Sequence, residues 1–274
     1  MPERDVNGVR LHYEEHGAGA PIALIHGCGG SALGFANAIE KLSELGRVIA
    51  YDRRGCTRSE RPEPYERTSV SEHADDAAAL LDALAANPAI VIGRSYGGTV
   101  ASDLALRYPD QVRALVLLEP DAPRELAPAA AQWVDALGER LRQVGAQAGV
   151  EAVGNALITE VAGESAWHSF PDEWRQVITE NGPAILAELE GEWWLEADAA
   201  ELATIEQPAL LVAAADSPPE FHEPIKAMAD ALPNARSMLV GGGHIIDPAA
   251  PEVVDFIGEL LARPHADTAS VSAP

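Results

Sequence analysis

The chain is short of cysteine, of positive charge and of long apolar runs. Only two cysteines occur in 274 residues, Cys28 and Cys56. Two thiols cannot build a disulfide framework, and alone they make no ordinary zinc site. No run of eighteen apolar residues is present, so no segment reads as a membrane-spanning helix. The first residues, MPERDVNGVR, lack the apolar stretch of a secretory signal. Lysine and arginine total 19 against 43 aspartates and glutamates, a formal charge of −24. That surface repels phosphate backbones and anionic membranes, which argues against nucleic-acid and membrane partners. Acidic solvated faces that maintain solubility account for the charge. A cytoplasmic protein that acts on a small molecule, as a monomer or a homodimer, is expected.

Apolar residues make up 47% of the chain, enough for a large core. Asn7-Gly8 ahead of the alternating run VRLHYEE predicts a hairpin with a half-exposed strand. Short β-branched runs follow at 22–26, 47–51, 89–93 and 113–118, continuous as in strands buried on both faces. Helical stretches at 34–45, 71–86 and 97–108 alternate with them; Ser71 is placed to cap the second, and Pro109 stops the third. The alternation lapses after Pro120. From 123 to 199 the pattern is helical, and all five tryptophans fall there: Trp133, Trp167, Trp174, Trp193 and Trp194. Alternation resumes with strands 208–213 and 236–240 and helices 222–232 and 250–262. The fold class is therefore α/β, a mostly parallel sheet with helices on both faces. Its first part spans 1–122, a helical insertion 123–199 and its second part 200–263. Residues 264–274 are expected to be a disordered tail.

Residues 27–32, GCGGSA, fit G-x-G-x-x-A, and Asp52 follows about twenty positions later. Both features occur in dinucleotide-binding turns. A hairpin precedes this turn, however, and a more specific motif lies downstream. Gly93-Arg94-Ser95-Tyr96-Gly97 is G-x-S-x-G between the strand AIVI and the helix TVASDLALRY. In that setting the serine sits on a sharp strand-to-helix turn, its hydroxyl exposed beside free N–H groups. Flanking glycines are required because Cβ atoms there would clash. A serine nucleophile needs a base, and the base an orienting acid. His244, in GGGHI after a strand, is the candidate base. Asp216, in AAAD after strand 208–213, is the preferred acid, with Glu119 or Asp121 after strand 113–118 as competitors. The order Ser95, Asp216, His244 suits such a triad.

These elements, HGCGG, YDRRGCTRS, GRSYGG, AAAD and GGGHI, resemble the α/β-hydrolase-fold enzymes of the lid-bearing serine esterase kind. The resemblance spans residues 22–247 and implies that HGCGG is an oxyanion loop rather than a nucleotide turn. The oxyanion donors it implies are the backbone N–H groups of Cys28 and Tyr96. Asp52 would hold loops together, and His26 would brace the oxyanion loop. The sequence departs from the family at Ala213 and Thr57, where glycine is frequent. No cofactor and no metal are expected.

The segment 123–199 would roof the site as a mobile lid. It carries four arginines against fourteen acidic residues, a net −10 that disfavours highly anionic substrates. Gly27, Gly29, Arg94, Trp133 and Trp167 are candidate substrate contacts, and Tyr96 is placed to line the pocket. The tryptophans suggest an apolar or aromatic acyl or alcohol group. Hydrolysis of an ester or lactone is the leading expectation. C–C bond hydrolysis, peracid formation or non-catalytic ligand binding could use the same scaffold.

Overall fold

The computed structural model describes residues 2–262; the tail expected at 264–274 lies outside the described residues. Strands β1 (Glu3–Val6) and β2 (Val9–His16) form the expected hairpin. Asn7 and Gly8 both take positive φ, 46° and 73°, the twist that suits a two-residue hairpin turn. Then come β3 (Pro21–Ile25), β4 (Arg47–Tyr51), β5 (Ala89–Arg94), β6 (Val112–Leu118), β7 (Ala209–Ala214) and β8 (Ala235–Val240). The eight strands stand in the order β1-β2-β4-β3-β5-β6-β7-β8. β2 pairs antiparallel with β4, and from β4 to β8 every pairing is parallel.

The apolar strand runs follow from burial on both faces. Ile22 and Leu24 of β3 point into one core, against α1 (Ala36–Leu42) and α11 (Pro251–Ala262). Ala23 and Ile25 point into the other, against α2 (Val70–Ala83) and α3 (Tyr96–Arg107). Each fully buried Ile or Leu contributes about 1.5–3 kcal/mol, so these two layers carry the fold. The α10 helix (Pro219–Ala231) joins the second layer. At one edge of the sheet, no residue of β8 is fully buried and Leu239 is exposed.

Two local expectations need correction. Helix α2 is capped by Ser69, whose hydroxyl accepts from the Glu72 amide at 3.1 Å, not by Ser71, which lies inside the helix. Ser69 has extended backbone, which frees its side chain to turn onto the first helical turn; a helical residue cannot do so. The helix expected over 34–45 starts instead as a 3-10 turn at Ala32–Phe35, with Ser31 as its cap, and ends at Leu42.

Between β6 and β7 the chain forms six helices, the first five being α4 (Pro128–Ala148), α5 (Glu151–Ala162), α6 (Glu164–Ser169), α7 (Asp172–Glu180) and α8 (Gly182–Glu190). A short α9 (Ala199–Leu202) leads back to the sheet. No helix among the described residues is long and apolar enough to cross a membrane.

Candidate active site

Parallel strands deliver the loops after β3, β5, β6, β7 and β8 to one edge of the sheet. The β4-β3-β5 order makes the chain cross over at β3, and such a switch point opens a crevice at the strands' carboxyl ends. Ser95 stands there, directly after β5, with φ 53° and ψ −128°. This left-handed backbone is sustained by close packing. A Cβ on Gly93 would lie 2.3 Å from the Gly97 carbonyl oxygen, and one on Gly97 would lie 2.2 Å from that of Ile25. Only glycine fits at either place, and the tight turn thrusts the serine side chain outward.

The Ser95 Oγ is 3.0 Å from His244 Nε2. His244 is buried at 3% exposure, and its Nδ1 stands 2.7 Å from Glu119 Oε2. A carboxylate only accepts, so Nδ1 carries the proton and Nε2 is left to accept from the serine hydroxyl. The Phe221 ring lies against the imidazole, centroids 4.2 Å apart, and fixes its plane from behind.

Glu119, and not Asp216, therefore occupies the position expected of the acid. Asp216 is exposed, and its side chain makes no hydrogen bond among the described residues; its backbone amide donates to Gly242. The difference is one of reach. Glu119 directly follows β6 in a left-handed conformation, φ 45°, which directs its long side chain across β7. Its Oε1 accepts from the Ala214 amide at 2.8 Å, and its Oε2 from the Ser217 hydroxyl at 3.0 Å. The turn after β7, expected to supply the acid, supplies the donors that hold it. Asp121 forms no hydrogen bond or ion pair with His244 among the described residues; burial pushes its carboxyl up to about 6.

The loop after β3 packs on the elbow: a Cβ on Gly27 would lie 3.3 Å from that of Ser95. Cys28 follows in the wall of the same cavity, and Tyr96 opens α3, where its amide has no intrahelical acceptor. Neither amide donates to a protein acceptor among the described residues. The Cys28 thiol is pushed well up by burial and by nearby Glu188, and burial pushes Cys56 up to about 12. His26 accepts from the Arg53 amide at Nε2, 2.9 Å, so its Nδ1 donates to the Gly27 carbonyl, 2.8 Å. Burial and the Arg53 charge pull it down to about 3, so the ring is neutral.

Asp52 answers the nucleotide-turn question. Its Oδ1 accepts from the Ser31 hydroxyl at 2.7 Å and the Ala32 amide at 2.8 Å, and its Oδ2 from Arg58 at 2.7 Å. Donors that would face a phosphate at this turn are already held by a carboxylate of the chain itself.

Two further groups brace the oxyanion loop. The Arg53 guanidinium donates to the His26 and Gly27 carbonyls from beneath and pairs with Glu188 of α8 at 2.7 Å, both side chains fully buried. Asn181, between α7 and α8, donates to the Gly29 and Gly30 carbonyls and accepts from the Thr57 amide at 2.7 Å. Thr57, standing where glycine is frequent, has φ 47° and is held there by this contact. These are long-range pairings with no local sequence signature.

The cavity over Ser95 is walled by Leu157, Ile158 and Val161 of α5, by Phe170, and by Trp174, Val177 and Ile178 of α7, facing Gly27, Cys28 and Arg94. Neither Trp133 nor Trp167 lines it. Trp133 packs edge-on against Phe221 at 5.2 Å, one ring removed from His244, and Trp167 is half-buried on α6. Trp174 is the tryptophan in the wall, because α7 rather than α6 crosses the opening. Gly29 faces α8: a Cβ there would meet Ile185 at 2.9 Å. The Tyr96 side chain turns into the core, between the Arg53 guanidinium at 4.8 Å and the Trp193 ring at 4.9 Å, instead of lining the pocket.

A strand-turn-helix serine, a buried histidine and a carboxylate in hydrogen-bonded series on this sheet define a hydrolase class. The sequence profile of the alpha/beta hydrolase fold family matches residues 20–246, and the chain belongs to that family. It is 31% identical over 287 residues to a putative carbamate hydrolase, RutD, of Azorhizobium caulinodans, covering 95% of this chain and 99% of that one. It is 39% identical to the uncharacterized hydrolase YraK of Bacillus subtilis over 115 residues, 42% of each chain, so that match spans under half of the relative. Among solved structures, a thermophilic esterase from Thermogutta terrifontis superimposes with a TM-score of 0.73 at 24% identity, covering 95% of this chain and 99% of that one.

Proposed function

We propose that the protein hydrolyses a carboxylic ester or lactone of a small substrate through an acyl-enzyme on Ser95. The supporting observation is the unbroken series Ser95 Oγ, His244 Nε2, His244 Nδ1, Glu119 Oε2, at 3.0 and 2.7 Å. Ser95 attacks the carbonyl carbon as His244 takes its proton, and Glu119 steadies the imidazolium. The tetrahedral oxyanion accepts from the Cys28 and Tyr96 amides, an arrangement in which one donor is worth about 3 kcal/mol in the transition state. His244 then hands the proton to the leaving alcohol. A water attacks the acyl-enzyme by the reverse assignment and frees the acid. The helices α4–α8 act as a lid whose α5 and α7 close an apolar wall over the serine. The full-length likeness to a putative carbamate hydrolase keeps a carbamate carbonyl within the same chemistry.

The test is 4-nitrophenol release from 4-nitrophenyl acyl esters of increasing chain length, with Ser95→Ala alongside. Turnover that disappears in the variant, by about 1000-fold or more, supports the reading. A wild type no faster than the variant removes it and brings C–C hydrolysis or ligand binding forward.

A further inference from the structure

Among the described residues Arg94 is the one arginine or lysine in the cavity wall, and no acidic side chain shares that wall. Its guanidinium lies over the Phe35 ring at 4.9 Å and forms no hydrogen bond or ion pair among the described residues. Asp247, the acid whose charge reaches it, already pairs with Lys41 at 3.3 Å. Arg94 is half-buried, whereas Arg53 and Arg54, buried among the described residues, each have a carboxylate: Arg53 has Glu188, and Arg54 has Asp76. A partly desolvated guanidinium without a carboxylate is costly, and burial pulls Arg94 down to about 10, still charged at neutral pH. Gly34 keeps the approach open. A Cβ there would touch the Arg94 guanidinium at 3.5 Å and the Trp174 ring at 3.8 Å, so the glycine leaves a slot between the cation and the ring.

We infer that Arg94 is a specificity residue that receives a carboxylate of the substrate, so that the preferred substrate is the ester or lactone of an acid bearing a second, free carboxylate. This rests on the reading of Ser95 as the hydrolytic nucleophile. The planar guanidinium, backed by Phe35, offers a carboxylate paired N–H donors, and the surrounding apolar wall strengthens that bond. The acidic surface does not oppose it, because repulsion between exposed charges is screened within about 10 Å while the pairing is local. The substrate's remaining carbons would run along Trp174, Val177 and Ile178 toward the serine.

The experiment compares kcat/KM for the mono-4-nitrophenyl esters of glutaric, adipic and pimelic acids with that for neutral 4-nitrophenyl esters of equal chain length, spontaneous hydrolysis subtracted. The wild type should favour the anionic member of a pair by about 10- to 100-fold, the usual worth of a hydrogen bond to a charged group. Arg94→Met should collapse that ratio toward one, and Arg94→Lys should restore part of it, whatever either does to the neutral ester. An equal ratio in wild type and Arg94→Met overturns the inference while leaving the esterase reading intact. If no ester is turned over faster than by Ser95→Ala, the esterase reading fails separately. Calorimetric titration of Ser95→Ala and of Ser95→Ala/Arg94→Met with monomethyl glutarate then decides the subsite: binding lost with Arg94 supports it, and equal binding overturns it.

Discussion

Replacing Glu119 by glutamine keeps the side chain's length and exchanges one carboxylate oxygen for an amide NH2. The amide oxygen is needed where Oε1 accepts from the Ala214 amide at 2.8 Å. The NH2 is thereby turned toward His244 Nδ1, 2.7 Å from Oε2 in the wild type. Two donors cannot face each other, so Nδ1 must give up its proton and Nε2 must take it. The histidine then presents N–H to Ser95 and can no longer accept the serine proton. Exchanging the triad acid for its amide in a serine protease, with the geometry intact, costs about 10,000-fold in kcat through this tautomer change. A loss of about 1000- to 10,000-fold in kcat, with KM within about threefold, is expected for Glu119→Gln. Asp216→Asn alters an exposed side chain and should stay within about twofold of wild type. Steady-state kinetics on a 4-nitrophenyl ester, with circular dichroism to verify folding, reads both variants. A Glu119→Gln protein retaining a tenth of the activity, or an Asp216→Asn protein that loses nine-tenths of it, would show that Glu119 does not orient His244.

Two other predictions concern stability. Glu188→Gln should cost about 3–5 kcal/mol in urea unfolding, because it leaves Arg53 charged and unpaired in the core, and Arg53→Met/Glu188→Leu should recover much of that; a single variant within 1 kcal/mol of wild type would show that the pair contributes little. Acid should destabilise the fold between about pH 6.5 and 5, above the range where most carboxylates titrate. His26 falls to about 3, and burial also lowers His73 and His12, so the unfolded chain binds protons in that window that the folded chain refuses, and stability falls as pH falls. Asp121, pushed up to about 6, works the other way, and burial also raises Asp76 and Asp103, but these act toward the lower, carboxylate end of the window while the histidines act from its upper end. Urea midpoints at pH 7, 6 and 5 test this, and a midpoint that rises toward pH 5 contradicts it.

What was legible in the sequence was local. Continuous β-branched runs announce strands covered on both sides, and the two helix layers on β3 cover them. G-x-S-x-G between a strand and a helix marks a turn that no Cβ-bearing residue could build at Gly93 or Gly97. His244 lies on its glycine-rich loop and reaches Ser95. The acid was ambiguous because three carboxylates follow neighbouring strand ends, and choosing among them takes side-chain reach and backbone hand. Glu119 prevails through its positive φ and the donors of the β7 turn, neither of which composition or spacing records. The pocket tryptophan is hidden in the sequence for a similar reason. Amphipathic helices reveal which face is apolar but not what that face meets, and α7 brings Trp174 to the opening while Trp133 supports Phe221. Arg53, Glu188 and Asn181 join distant segments, so they carry no local signal at all.

Acylation of Ser95 is read by intact-mass spectrometry of the protein after brief mixing with a 4-nitrophenyl ester or a fluorophosphonate. The expected result is one adduct per chain, on the peptide that contains Ser95, absent from Ser95→Ala and formed far more slowly by Glu119→Gln. An unmodified wild-type protein, or an adduct carried by Cys28 and retained in Ser95→Ala, would contradict it.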